Sequence, residues 1–69
     1  MNVIRAERDK HGWSQAELAR RAGMHSSTVS QIENARMLPY PTQLAKLAAA
    51  LGWTGEPAAL LDEVDREPA

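Results

Sequence analysis

The chain has 69 residues, no cysteine and a formal net charge of −1 at pH 7. This length allows one domain with a modest core, and the lack of cysteine excludes disulfides and cysteine-based zinc sites. No apolar run approaches the roughly 20 residues that span a bilayer, and the first residues lack the hydrophobic stretch of a signal peptide. We therefore expect a soluble, cytoplasmic protein.

Charge is distributed unevenly along the chain. Residues 1–55 carry seven basic and four acidic side chains, a net of +3, whereas residues 56–69 carry one basic and five acidic side chains, a net of −4. A basic body beside an acidic end is expected where one face meets an anionic partner such as nucleic acid. A terminal helix that is acidic and simply solvated explains the same pattern.

The first predicted helix covers about residues 2–11, with Val3 and Ile4 on its apolar rows. Gly12 ends it, because helices commonly end on a residue in the left-handed region, where glycine has no Cβ penalty. Trp13 follows as the apolar residue just before the next helix cap.

The second predicted helix covers about residues 15–22. Ser14 and Glu17 have the spacing of a capping box, in which each side chain accepts a hydrogen bond from the other residue's backbone N–H. Gly23 then lies in a short turn that leads into the next helix.

The third predicted helix covers residues 26–34, and its apolar positions, Val29 and Ile32, face inward. Its outer face carries small hydroxyls and an amide, from Ser26, Ser27, Ser30 and Gln31. These groups form hydrogen bonds with base edges, so the outer face is well suited to reading DNA.

The remaining segments predict a loop and two more helices. Residues 35–40 form the loop, because residues before proline avoid helical angles. Pro41 begins the fourth helix and Gly52 ends it, and a fifth helix starts near residues 54–57. We expect residues 1–65 to form the domain and residues 66–69 to fray. The expected core consists of Ile4, Trp13, Leu18, Ala22, Met24, Val29, Ile32, Leu44, Leu47, Leu51 and Leu61.

These motifs occur in one order over nearly sixty residues. They comprise Arg8, residues 12–15, 17–19, 22–24 and 27–34, then Pro39, residues 44–48 and 50–52. In this order they resemble the helix-turn-helix family of phage repressors, Cro proteins and their bacterial XRE-type relatives. The resemblance covers about residues 3–61 and implies an all-α, compact, five-helix, lambda-repressor-like DNA-binding domain.

The resemblance also implies roles for individual side chains. Base-reading positions match Ser26, Ser27, Gln31 and Thr28, although capping of the helix also accounts for Ser26. Backbone-contact positions match Gln15, Ser30, Asn34, Arg36, Thr42 and Gln43, with Tyr40 as an additional phosphate donor. The alternative for Gln15 is an ordinary first-turn residue. Arg8 and Glu33 match a structural ion pair between the first and third helices.

Two positions depart from the family pattern. Ala35 stands where members usually have glycine, so we expect either Asn34 to take the left-handed cap or the helix to continue. His25 replaces the usual hydroxyl or asparagine cap of the third helix and is expected to cap weakly or to contact phosphate when protonated.

The residues and the resemblance together predict a repressor or Cro-like transcriptional regulator, bacterial or phage-encoded, that binds a pseudo-palindromic double-stranded DNA operator as a homodimer. Leu60, Leu61, Val64 and Trp53 are the expected dimer contacts, unless they only close the monomer core. The alternative is an antitoxin-like or scaffold module of the same fold with weak or partner-dependent DNA binding. We expect no enzymatic activity, cofactor, metal or small-molecule ligand, because His11 and His25 have neither a cysteine nor an acidic partner at ligand spacing.

Overall fold

The computed structural model describes residues 2–64, which form four α-helices and one 3-10 helix. The α-helices are α1 (Val3–His11), α2 (Gln15–Ala22), α3 (Ser26–Glu33) and α4 (Pro41–Leu51), and the 3-10 helix covers Pro57–Leu61. The all-α fold is confirmed, but the count of five α-helices is not. Where the fifth was expected, the described chain has a five-residue 3-10 helix. The predicted frayed segment, residues 66–69, lies outside the described residues.

The helices pack around one apolar core. α2 packs on α3 and α4, and the 3-10 helix packs on α1 and α4. The buried apolar side chains of the described chain are Ile4, Leu18, Ala19, Ala22, Val29, Ile32, Leu44, Leu47, Ala48, Leu51 and Leu60. Most of the predicted core is therefore confirmed, while Trp13, Met24 and Leu61 lie partly exposed at its edge.

The 3-10 helix returns the chain to the start of α1. The Val3 N–H donates to the Asp62 carbonyl at 2.9 Å, and Asn2 forms an isolated β-bridge with Glu63. Leu60 is completely buried beneath this turn. Of the two roles expected for Leu60, the structure supports closure of the monomer core, because the side chain is completely buried and is not available as a dimer contact.

The first half of the predicted capping box is confirmed. Ser14 Oγ accepts from the Glu17 N–H at 3.0 Å, as the spacing predicts. The Glu17 carboxylate does not return to Ser14. It accepts hydrogen bonds from Arg20 and Arg21, which are i+3 and i+4 neighbours on the same face of α2.

The four α-helices of the described chain end in the same way. In each, the residue after the left-handed position donates its N–H to a carbonyl five residues earlier, as from Arg36 to Gln31 at 2.8 Å. This pattern requires the preceding residue to be left-handed. The other three helices use glycine there, with φ between 70° and 73°, and α3 uses Ala35, with φ 58°.

Both outcomes predicted for the end of α3 are therefore wrong, because Ala35 itself takes the left-handed position. Asn34 does not take the left-handed position, since its φ is −93°, and α3 does not continue beyond Glu33. The full set of helix-ending hydrogen bonds holds Ala35 in a conformation that costs a residue with a Cβ about 1–2 kcal/mol. The end of α3 has the same hydrogen bonds as the ends of the other three helices, but its left-handed residue is strained.

We predict that Ala35→Gly raises the free energy of unfolding by about 0.5–1 kcal/mol, since relief of strain exceeds the extra entropy of the unfolded chain. The matched control is Gly23→Ala, which places a Cβ in the same conformation with no atom within 4 Å. It should lower stability for purely conformational reasons. Urea denaturation of both variants measures the two changes, and a less stable Ala35→Gly protein contradicts this interpretation.

Candidate nucleic-acid interface

α3 presents one apolar face to the core and one polar face to solvent. Val29 and Ile32 are 0% and 1% exposed, whereas Ser26, Ser27 and Gln31 are exposed. Ser27 and Gln31 are four residues apart, so they lie one above the other on the same side of the helix. The inward and outward positions predicted from periodicity are confirmed for these five residues.

Two other predicted contact residues of α3 are less accessible. Thr28 and Ser30 are half-buried. Ser30 Oγ also accepts from Asn34 Nδ2 at 3.4 Å, so these two predicted backbone contacts are linked to each other at the end of the helix.

The N-terminus of α3 has no side-chain cap. His25 takes the cap position but forms no capping hydrogen bond with its side chain, and Ser26 is the first helical residue. Capping therefore does not explain Ser26. The backbone N–H groups of the first turn carry the positive end of the helix dipole, which favours anions such as phosphate.

The C-terminus of α3 is fixed by the Glu33 carboxylate, whose side chain is 2% exposed. Arg8 of α1 donates to it twice, from Nε to Oε2 at 2.8 Å and from Nη2 to Oε1 at 3.0 Å. Gln15, the first residue of α2, donates from Nε2 to Oε1 at 3.0 Å. The ion pair implied by the family resemblance is present, and it joins three helices at one buried carboxylate.

The Arg8 guanidinium is satisfied on its remaining side as well. Its Nη1 donates to the Trp13 carbonyl at 2.8 Å and lies 3.7 Å from Asp9 Oδ1. The hydrogen bond with Glu33 raises the pKa of Arg8 above its ordinary value, and the charges of Glu33 and Asp9 act in the same direction against the effect of burial. Arg8 is thus a fixed cation.

Asn2 forms a second link to the same end of α3, and the sequence does not predict this link. It is 5% exposed, and its Nδ2 donates to the Ile32 carbonyl at 3.2 Å. Its Oδ1 accepts from the Arg5 N–H and caps α1. Asparagine before an apolar run signals such a cap, but no local pattern could reveal a bond across 30 residues.

The other predicted backbone contacts lie beyond α3. Arg36 and Thr42 are exposed, and Thr42 lies in the first turn of α4. Gln43 is half-buried, and its Oε1 accepts from the Tyr40 N–H at 2.8 Å, which caps α4 and leaves the Gln43 amide N–H groups as donors. Tyr40 itself is 69% exposed.

Several basic side chains are neutralised within the protein. Glu17 pairs with Arg20 and Arg21, and Glu7 pairs with Lys10 at 2.9 Å. Arg21 also lies over the Trp13 ring at 4.3 Å, and His11 stacks on Trp13. Among residues 2–64, the cations without an ion pair are Arg5, Arg36 and Lys46.

The described residues were also searched for metal sites and membrane-spanning helices. Residues 2–64 hold no group of three or more His, Cys, Asp or Glu side chains that could bind a metal ion. No helix among them is both long and apolar enough to cross a membrane.

The helix-turn-helix family profile matches residues 4–56, which include the whole of α1 except Val3 and all of α2, α3 and α4. The chain belongs to the helix-turn-helix family of phage repressors and Cro proteins. Its α2 and α3 form the DNA-binding unit of that family. Searches of curated proteins and of solved structures returned no significant match.

We predict that Arg8→Met lowers the free energy of unfolding by about 3–5 kcal/mol, because it leaves the buried Glu33 carboxylate without a cation. The double variant Arg8→Met/Glu33→Leu should recover most of the loss, since no unpaired charge remains. Lys10→Met breaks an exposed ion pair and should cost under about 1 kcal/mol. If Arg8→Met unfolds at the wild-type urea concentration, Glu33 is not the anchor of α3.

The Glu17 cluster should respond to acid. The hydrogen bond from Arg20 lowers the pKa of Glu17 from its ordinary value of 4.5, with Arg21 acting in the same direction and desolvation opposing both. A lowered pKa means that the stabilisation is complete above the ordinary value and is lost as the pH falls through the folded value.

Carboxyl carbon NMR tests this directly. Glu17 should titrate below its ordinary pKa in wild type and return to it in Arg20→Gln/Arg21→Gln. An unchanged Glu17 titration between the two proteins would show that these arginines remain solvated and available to other anions.

Proposed function

We propose that this protein is a sequence-specific double-stranded DNA-binding transcriptional regulator of the repressor or Cro-like type. The observation that carries the proposal is the polar face of α3, where Ser26, Ser27 and Gln31 are exposed while Val29 and Ile32 on the opposite face are buried. In helix-turn-helix proteins the second helix of the unit, here α3, lies in the major groove. The first helix of the unit, here α2, crosses the DNA backbone.

Gln31 is the proposed source of most of the sequence preference. A glutamine side chain forms two hydrogen bonds with adenine N6 and N7, which is worth about 1–3 kcal/mol of discrimination against another base. The hydroxyls of Ser26 and Ser27 both donate and accept, so they tolerate more bases. Thr28 is half-buried and would contribute at most a methyl contact to thymine.

The proposed backbone contacts lie on both sides of α3. On one side of α3, the contact would come from α2. The Gln15 side chain is held by Glu33, so the free backbone N–H groups in the first turn of α2 would bind phosphate. Asn34, Arg36, Thr42 and Gln43 would contact phosphate on the other side. Such contacts set the register of the protein on DNA and carry no sequence information themselves.

We further propose that two copies act together on a two-fold operator. Recognition helices in successive major grooves lie about 34 Å apart, and the protomer has principal extents of 33 × 24 × 21 Å. The longest extent of one protomer is therefore close to the required distance. Regulation would follow from occupancy of a promoter, without a catalytic step.

One observation favours the alternative of a protein-interaction module. The formal net charge is −1, and Glu7, Glu17 and Glu33 already neutralise four of the basic side chains. Such a module would bind the isolated duplex weakly or only with a partner's help, and its binding would show little dependence on salt.

Selection from a pool of random duplexes, followed by fluorescence anisotropy at two salt concentrations, separates these proposals. We predict enrichment of an inverted repeat whose half-sites are one helical turn apart. Gln31→Ala should relax the preference at one base pair in each half-site. Arg36→Gln should weaken all sequences equally and reduce the salt slope by about 1.

Thr54→Ala is the control, because Thr54 is exposed in the segment between α4 and the 3-10 helix. It should bind as wild type does. Absence of both enrichment and salt dependence would reject the regulator proposal in favour of the interaction module.

A further inference from the structure

The loop between α3 and α4 carries the exposed large apolar side chains of the described chain. Leu38 is 82% exposed and Tyr40 is 69% exposed, whereas Pro39 between them is buried. The other large apolar side chains among residues 2–64 are buried or half-buried. Single exposed apolar residues are common on protein surfaces, but two in one short loop beside the recognition helix indicate a contact surface.

The backbone holds these two side chains in a defined arrangement. Leu38 precedes Pro39 and Tyr40 precedes Pro41, and a residue before proline is restricted to extended angles. Tyr40 has a ψ of 155°, which lies in the extended region. Each proline also fixes its own φ. The loop therefore presents its leucine and tyrosine in a preformed geometry, and little conformational entropy is lost when they bind a partner.

The charge around the loop is complementary to an anionic partner. Residues 34–55 contain no aspartate or glutamate, and Arg36 and Lys46 are two of the three unpaired cations among residues 2–64. Thr42 and Lys46 are four residues apart, so they lie on the same side of α4. A second copy of this surface would bring like charges together, which is unfavourable. The segment therefore fits a polyanion better than it fits a copy of itself.

We propose that Leu38 and Tyr40 form an apolar wedge that enters the minor groove of DNA beside the major groove occupied by α3. The wedge rests on the proposed function, in which Arg36 and Thr42 bind phosphates on one side of α3. The phosphate strand that borders the major groove also borders the neighbouring minor groove, so the loop between those two contacts faces that groove. Apolar side chains that enter minor-groove base steps kink the duplex by about 20–90°.

The two side chains have different chemistry for this role. Leu38 has no polar atom, so it occupies the space between two bases without leaving a hydrogen bond unmade. The Tyr40 ring would pack on a deoxyribose while its hydroxyl donates to a phosphate. The wedge adds a sequence preference outside the base pairs that α3 reads. Pyrimidine–purine steps such as TA kink most easily, so a TA step beside each half-site should be preferred.

DNA bending measures the wedge directly. A short duplex with the selected half-site, a neighbouring TA step and a dye at each end should bend when the chain binds, which raises energy transfer between the dyes. Leu38→Ser should lose most of the bend and bind this duplex about tenfold more weakly. It should bind a duplex with a stiff A-tract flank nearly as wild type does. Leu38→Met keeps a large apolar side chain and should keep the bend.

Two further variants separate the wedge from other roles of the loop. Leu38→Lys adds a cation, so a loop that only attracts phosphate would bind more tightly, whereas a wedge would lose the bend. Ala49→Ser lies at an exposed position of α4 and should bend DNA as wild type does. Because positions 38 and 49 are exposed, circular dichroism of all these variants should match wild type.

Three results would overturn the wedge. The first is wild type bound to DNA without a bend, and the second is an equal bend in Leu38→Ser. The third is a dimer in sedimentation equilibrium without DNA that Leu38→Ser dissociates, since Leu38 would then belong to a contact between copies.

The wedge and the proposed function fail independently. If selection enriches an inverted repeat but wild type leaves the duplex straight, the regulator proposal stands and the wedge fails. If selection recovers no sequence, yet wild type bends duplexes that contain a TA step and Leu38→Ser does not, the wedge stands and the regulator proposal fails.

Discussion

The arrangement of this protein depends on one buried carboxylate. Glu33 ends α3 and accepts hydrogen bonds from Arg8 of α1 and Gln15 of α2. α3 packs principally on α2, so the bonds from Arg8, and that from Asn2 to the Ile32 carbonyl, determine its orientation relative to α1. A buried charge is tolerated only when such partners are present.

This anchoring divides α3 into two functional ends. Its C-terminus is held by side chains from α1 and α2, while its N-terminus presents exposed hydroxyls and uncapped backbone N–H groups. A rigid anchor at one end permits precise placement of the other, which the proposed reading of base edges needs. The strained Ala35 lies two residues after Glu33, and the backbone hydrogen bonds from Ala35 to Ile32 and from Arg36 to Gln31 hold it in that conformation.

The fold was largely predictable because its signals are local. Glycines ended three of the helices, Ser14 capped α2, and apolar spacing identified the buried faces of α3 and α4. The failures came from choices that short-range patterns do not encode. The Glu17 carboxylate was expected to bond back to Ser14. It pairs with Arg20 and Arg21 at i+3 and i+4 instead. Pro57–Leu61 forms a 3-10 helix, which buries Leu60 completely and leaves Leu61 partly exposed at the edge of the core.

The candidate site was predictable in part for the same reason. The outward position of Gln31 follows from helical periodicity, whereas the contact between Arg8 and Glu33 was implied only by the family resemblance. Neither source predicted the role of Asn2.

The most direct test of the account is an amide NMR titration with the selected duplex. The largest shifts should fall on Ser26, Ser27 and Gln31 and on the first turn of α2. Shifts confined to the 3-10 helix, with α3 unchanged, would contradict it.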